Sequence, residues 1–310
     1  MFDKMIINAQ VDSYAHAQEL IRSGHLQRCT EGNRVFYQSS ALANLQGVSM
    51  RLDGSRLQIK CSLHKQYSRL TEGRLDNAGM FTVSQARRTV CELFGRWDVD
   101  IGCARVTYFE VGLNIPVRGD PAEYITLAES VGPAGCRELF CDANFEKNRQ
   151  KTTDKRRTVR KYFKIYDKGF EARDKGRGCD GNILRVETVY RRQDIPLGVL
   201  MEPEYTDRLT GMFCRDWSSV EFRRRVSAVK GVKASQLERA ARIMRTGAEA
   251  YLRETKARWQ DGSLTDKQYR TMREFAQNWE KVRHMFSFVP DCKEIEYRDK
   301  LLALINEARK

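Results

Sequence analysis

Apolar and polar residues alternate with a period of two over much of the first two-thirds of the chain, the signature of half-buried strands. Met5-Ile6-Ile7-Asn8-Ala9 is read as an opening strand. Arg34–Gln38 and Val48–Leu52 are strand-like, and Arg56–Ser62 continues a hairpin across Asp53-Gly54. Ala104–Ile115, Val159–Asp167 and Asn182–Tyr190 are strands, the last two separated by a turn around Gly176 and Gly178. Helices interrupt them at Asp12–Arg22, capped by Asp12 or Ser13, and from Thr82 or Ser84 to Phe94, with a short one at Pro121–Ser130. Beyond about residue 203 the period changes to that of helices. Tyr205–Trp217, Ser219–Val229, Ser235–Lys256 and Thr265–Met285 carry it, and Gly262-Ser263 stops and restarts the pattern. The expected architecture is α+β: a central antiparallel sheet with helices on one face and an open catalytic face, followed by a helical C-terminal region. The expected domains are 1–203 and 204–310.

Alternation also sorts the strand residues by face. In Val106–Ile115, Phe109, Val111, Leu113 and Ile115 form an apolar side, and Tyr108, Glu110, Gly112 and Asn114 oppose it. Leu57, Ile59 and Cys61 oppose Gln58 and Lys60, while Phe163 and Ile165 oppose Tyr162, Lys164 and Tyr166, with Lys168 next in line. Leu184 and Val186 oppose Arg185 and Glu187. Polar residues that alternate on a strand ordinarily just face solvent. In one sheet, however, these strands would collect Gln58, Glu110, Tyr166, Lys168 and Glu187 on one face. Oxygen ligands of that kind suit Mg²⁺ or Mn²⁺. A tyrosine beside such an ion is a nucleophile for a phosphodiester, and a lysine stabilises the developing charge.

Charge sharpens the expected partner. The 310-residue chain carries a net charge of +14, and residues 147–177 alone hold thirteen Lys/Arg against four acids, +9 of that total. Such a concentration neutralises phosphates and points to nucleic acid. Arg156, Arg157, Arg160, Lys161 and Lys164 of this stretch, with Arg185, are the candidate DNA-binding residues, and Arg223-Arg224-Arg225 is expected on a DNA-contacting helix. The nine cysteines form no C-x-x-C pair, which argues against a zinc ribbon and fits a reducing cytoplasm. No apolar run has membrane-spanning length, and the N-terminus lacks a signal-peptide core.

Four segments occur in an order that resembles a known family: Leu57-Gln58-Ile59-Lys60-Cys61-Ser62-Leu63-His64-Lys65, Phe109-Glu110-Val111-Gly112-Leu113-Asn114-Ile115, Phe163-Lys164-Ile165-Tyr166-Asp167-Lys168-Gly169-Phe170-Glu171 and Leu184-Arg185-Val186-Glu187. Together with the opening Met-Phe-Asp-Lys-Met-Ile-Ile, they look like the motifs of rolling-circle replication initiators of phages and plasmids, filamentous-phage replication proteins above all. The resemblance covers about residues 1–195. It implies a relaxed HUH-type nicking domain and a metal-dependent endonuclease that nicks and rejoins origin DNA. In that pattern Tyr166 is the nucleophile forming a 5′-phosphotyrosine link and Lys168 its electrostatic helper. Glu110 is the main metal carboxylate, and Gln58 and Glu187 are further ligands. The His-hydrophobic-His metal pair of many such enzymes is missing. The implied partners are single-stranded and origin double-stranded DNA, with a host polymerase and helicase, in the cytoplasm of a bacterial host. A mobilisation relaxase with the same chemistry and a non-catalytic DNA-binding regulator are the alternatives. The helical region is expected to bind DNA or serve an accessory role.

Overall fold

A computed structural model describes residues 1–310 except 41–46, 133–136, 157, 177 and 228. The chain is α+β, built on a ten-stranded sheet. Its strands, in chain order, are β1 (Phe2–Gln10), β2 (Leu26–Glu31), β3 (Arg34–Ser39), β4 (Val48–Asp53), β5 (Arg56–Ser62), β6 (Arg105–Pro116), β9 (Phe140–Cys141), β10 (Gln150–Thr152), β11 (Lys161–Asp167) and β12 (Ile183–Pro196); β7 (Ala128–Val131) and β8 (Arg137–Glu138) pair with each other outside it. The spatial order is β2-β3-β4-β5-β1-β6-β12-β11-β10-β9, and the strands that meet run antiparallel. The opening strand thus inserts between β5 and β6, at the middle of the sheet.

Strand alternation decides the two faces. Met5, Ile7, Leu57, Ile59, Phe109, Val111, Leu113, Phe163, Ile165, Leu184 and Val186 are buried on the apolar side. Helix Pro203–Ser218 packs there. Trp217 stands edge-on to Phe163, ring centroids 5.7 Å apart, and its Nε1 donates to Thr188 Oγ1 at 3.1 Å. Helix Val83–Arg96 is tied to the start of that helix, since Arg87 donates to Met201 O and to Thr206 Oγ1. Its N-terminus carries the Thr82–Gln85 capping box, and Ser13 caps helix Tyr14–Ser23, which decides between the two caps expected for each helix.

The chain forms two compact units, Met1–Val220 with Tyr297–Lys310, and Glu221–Glu296. The expected division at residue 203 is therefore corrected. Helix Pro203–Ser218 belongs to the sheet's core through Trp217 and Phe213, both fully buried, and Tyr297 donates to Trp217 O at 3.0 Å.

In the second unit the helices Ala234–Thr246, Ala248–Gln260, Asp266–Gln277 and Trp279–Val282 enclose a core of Ile243, Tyr251, Ala276, Trp279 and Phe286. The helical pattern over Ser235–Lys256 is broken at Gly247, whose φ of 84° is open to glycine. The expected helix Ser219–Val229 is also corrected. Arg225–Ser227 forms a ribbon with Ser287–Val289, so Arg225 lies on a strand. Pro121–Ser130 yields helix only to Leu127, after which Ala128–Val131 is β7.

Candidate active site: a carboxylate cluster on the polar sheet face

Ladder register brings the polar side chains together, because directly opposed residues share a face. On β6 and β12, Gly112 opposes Glu187 and Asn114 opposes Arg185; on β12 and β11, Glu187 opposes Lys164 and Arg185 opposes Tyr166. Glu187 is the hub. Tyr166 Oη donates to its Oε1 at 2.9 Å, and Arg185 Nε to the same oxygen at 2.6 Å. The Lys164 ammonium pairs with Glu187 Oε2 and lies 3.1 Å from Glu110 Oε1, which also accepts from the Tyr108 hydroxyl. The Oε2 contact is an ion pair without an aligned hydrogen bond.

The third carboxylate is Asp3. Arg185 Nη2 donates to it at 2.5 Å, Asn77 Nδ2 at 2.9 Å, and Ser62 Oγ closes the other side. One carboxylate oxygen each from Asp3, Glu110 and Glu187 lies within 4.8 Å of the other two. That spread is close to what oxygen ligands about 2.1 Å from one divalent ion adopt. Gly112 makes the room. A Cβ there would stand 2.9 Å from Glu187 Cγ, 3.1 Å from Arg185 Nη2 and 3.3 Å from Val186 O. The donor set Asp3, Glu110 and Glu187 could hold a divalent cation, and its carboxylates are at the same time paired with Lys164 and Arg185.

Electrostatics follows from burial. Arg185 is 2% exposed, Glu187 1% and Tyr166 9%. Burial raises the pKa of Tyr166, and the Glu187 charge adds to it, so the phenol is protonated well beyond its usual range. Burial and then Glu187 raise Glu110. For Glu187 burial acts upward, but Lys164 and Arg185 outweigh it and hold the carboxylate ionised. Asp3 is likewise held low by Arg185 against its burial. Lys168 is lowered by burial and by Arg185, while its ion pair with Glu171 at 2.5 Å acts against this. His64 stacks on Phe81 at 4.6 Å, and burial together with Arg185 lowers its pKa to about 3, so the ring is neutral.

The expected site residues are thus gathered selectively. Glu110, Glu187 and Tyr166 share one cluster, and Lys168 follows as the first residue of helix Lys168–Asp174, with Asp167 as its cap. Gln58 is not in it. It lies on β5, three strands from β12, where its Nε2 donates to Asn8 Oδ1 at 3.2 Å, and Asp3 supplies the third oxygen instead. The reason is strand order: β1 lies between β5 and β6 and puts Asp3, not Gln58, beside Glu110. The sequence carried a signal for Asp3, since an acid within an otherwise apolar strand is disfavoured unless it has a partner.

The candidate DNA-binding residues separate as well. Arg156 and Arg160 are exposed, and Arg157 lies outside the described residues. Lys161 is committed to Asp216 at 2.6 Å. Lys164 and Arg185 are corrected: both are internal to the carboxylate cluster, where their donors are taken by Glu110, Glu187, Asp3 and Asn114. The expected open face is closed over this part. Asn114 Nδ2 donates to the carbonyls of Asn77, Ala78 and Gly79, which wall it.

No helix among the described residues is long and apolar enough to cross a membrane. No protein-family model matches the chain, and no curated protein does.

Proposed function

We propose that the protein is a rolling-circle replication initiator, a divalent-metal-dependent endonuclease that nicks and rejoins single-stranded origin DNA through Tyr166. The observation that carries this reading is the hydrogen bond from the Tyr166 hydroxyl to Glu187, a member of the cluster with Asp3 and Glu110. A tyrosine nucleophile needs an acceptor for its proton beside a centre of positive charge for the phosphate. The reading also draws on the sequence resemblance and on the basic stretch 147–177.

In the proposed step Tyr166 Oη bonds to phosphorus while the bond from phosphorus to the 3′ oxygen breaks. The phenolic proton passes through Glu187 Oε1 to the departing 3′ oxygen, which leaves as a hydroxyl, so Glu187 is ionised again at the end of the step and the 5′ phosphate stays on Tyr166. Bound by Asp3, Glu110 and Glu187, Mg²⁺ or Mn²⁺ would polarise the scissile phosphate. Arg185 locks Asp3 and Glu187 in place, and Lys168 adds positive charge near the reacting phosphate. Rejoining reverses the step with a new 3′-hydroxyl, so the phosphodiester energy is conserved. The free 3′ end serves a host polymerase, and a bacterial cytoplasm is the proposed location. A relaxase would run the same step on a transfer origin; whether the gene sustains replication of its own DNA separates the two.

A second reading, a DNA-binding regulator that cuts nothing, is favoured by one observation: Lys164 and Arg185 already balance most of the cluster's charge, and Tyr166 is nearly inaccessible. Incubation with Mn²⁺ and a single-stranded DNA library distinguishes them. The expected result is a covalent adduct mapped to Tyr166, lost in Tyr166→Phe while DNA binding persists. An adduct that survives in Tyr166→Phe would assign another nucleophile, and no adduct in the wild type favours the regulator.

A further inference from the structure

Six neighbouring strands each place one polar residue in a single register row. Gln27 on β2 opposes Gln38 on β3, Gln38 opposes Arg51 on β4, and Arg51 opposes Gln58 on β5. Gln58 opposes Asn8 on β1, and Asn8 opposes Arg105 on β6. The row lies on the same side of the sheet as the carboxylates. Ile6, two residues from Asn8, opposes Tyr108, and the Tyr108 hydroxyl reaches Glu110. Along β6 the row stands five residues from Glu110, roughly 16 Å.

This end of the face is accessible where the carboxylate end is walled. A cavity of about 720 Å³ opens over it, lined by Asn8, Gln58, Arg34, Arg51, Arg56 and Arg105 among others. That is within the range of about 300–1,000 Å³ typical of small-molecule sites. Four guanidinium groups line it with two carboxylates, Asp53 paired with Arg34 and 4.0 Å from Arg51, and Asp194 paired with Arg105; Arg51 also lies 3.9 Å from Glu31. Exposed pairs of this kind hold little energy and exchange readily for a phosphate. The Gln58–Asn8 bond leaves Asn8 Nδ2 as a donor and Gln58 Oε1 as an acceptor side by side. A nucleobase edge presents the complementary acceptor and donor.

We infer that this cavity is a subsite for one unpaired nucleotide of the strand that is cut. Asn8 and Gln58 read the base edge, and Arg51 and Arg105 hold the flanking phosphates. The inference rests on the proposed function for the identity of the strand, and on the register row and cavity for the subsite. Gln58 thereby takes a role in choosing the sequence, in place of the metal-ligand role expected of it.

The test uses the full chain and a single-stranded DNA library randomised around one position, in two arms. Without added metal, binding is read by selection and anisotropy; with Mn²⁺, by covalent adduct. Wild-type protein should enrich one base at one position, and Asn8→Ala and Gln58→Ala should each lower that enrichment about ten-fold. Arg51→Ala and Arg105→Ala should each flatten the dependence of log K on log salt by about 0.7. Unchanged enrichment in both amide variants, or unchanged salt slopes in both arginine variants, overturns the subsite. Preference for duplex DNA or for RNA also overturns it. If base selection and its loss are seen but no adduct forms, the subsite stands and the nicking reading fails. If the adduct forms with base preference indifferent to Asn8 and Gln58, the reverse holds.

Discussion

Lys164 separates a metal site from a structural ion-pair network. Its ammonium sits between Glu110 and Glu187, and the side chain is 17% exposed. Burial works against its charge, but Glu187 and Glu110 outweigh this and hold its pKa above the usual lysine range. Lys164→Met keeps the stem and removes the charge, leaving Asp3, Glu110 and Glu187 with Arg185, among the described residues, as the cation bonded to two of them. Removing one partner of a buried pair costs about 3–5 kcal/mol. A unit of this size loses about 2–4 °C of melting temperature per kcal/mol, so the variant should melt about 10 °C lower without metal. If the three carboxylates are a cation site, Mn²⁺ takes over the charge Lys164 supplied. At a hundred times its dissociation constant it returns about 2.7 kcal/mol, most of the loss. Calorimetry of wild type and variant across a Mn²⁺ titration reads this directly. The variant should bind Mn²⁺ more tightly than wild type and recover most of its melting temperature. A variant that is destabilised and indifferent to Mn²⁺ and Mg²⁺ would refute the metal assignment and leave the cluster a structural network.

Other perturbations follow from the same contacts. Gly112→Ala puts a methyl 2.9 Å from Glu187 Cγ and should cost about 1–3 kcal/mol by overpacking while displacing Glu187; thermal melts and Mn²⁺ titration check it, and wild-type affinity would show that the cradle is not needed. The folded-state pKa of His64 is depressed to about 3. Its contribution to stability is therefore complete above about pH 6.5 and falls by about 1.4 kcal/mol per pH unit as pH drops toward 3. His64→Phe keeps the stack on Phe81, and denaturant midpoints measured from pH 7 to 4 should be flatter in the variant by that slope. Glu171 lies between Lys168 and Lys175, and these bring its pKa down to about 2 against its burial. That stability is present above about pH 4.5 and is lost as pH falls toward 2, so Glu171→Gln should be less sensitive to acid over this window, as circular dichroism across it would show.

Period-two alternation determined which residues face which side of each strand, because that depends only on backbone geometry. Phe109, Val111, Phe163, Ile165 and Val186 are buried on one side and Glu110, Lys164, Tyr166 and Glu187 meet on the other, as the alternation requires. The caps were legible to within a pair, Asp12 or Ser13 and Thr82 or Ser84, because capping bonds close within three residues, and the structure uses Ser13 and Thr82. Alternation is silent on the order in which strands pair. That β1 enters between β5 and β6 was decided by tertiary packing, and it put Asp3 beside Glu110 while moving Gln58 to the neighbouring cavity. Local pattern likewise could not say that Lys164 and Arg185 face acids instead of DNA. A cation on a strand reads the same in sequence whether water, phosphate or a buried carboxylate lies opposite, and only the register of β6, β12 and β11 fixes which.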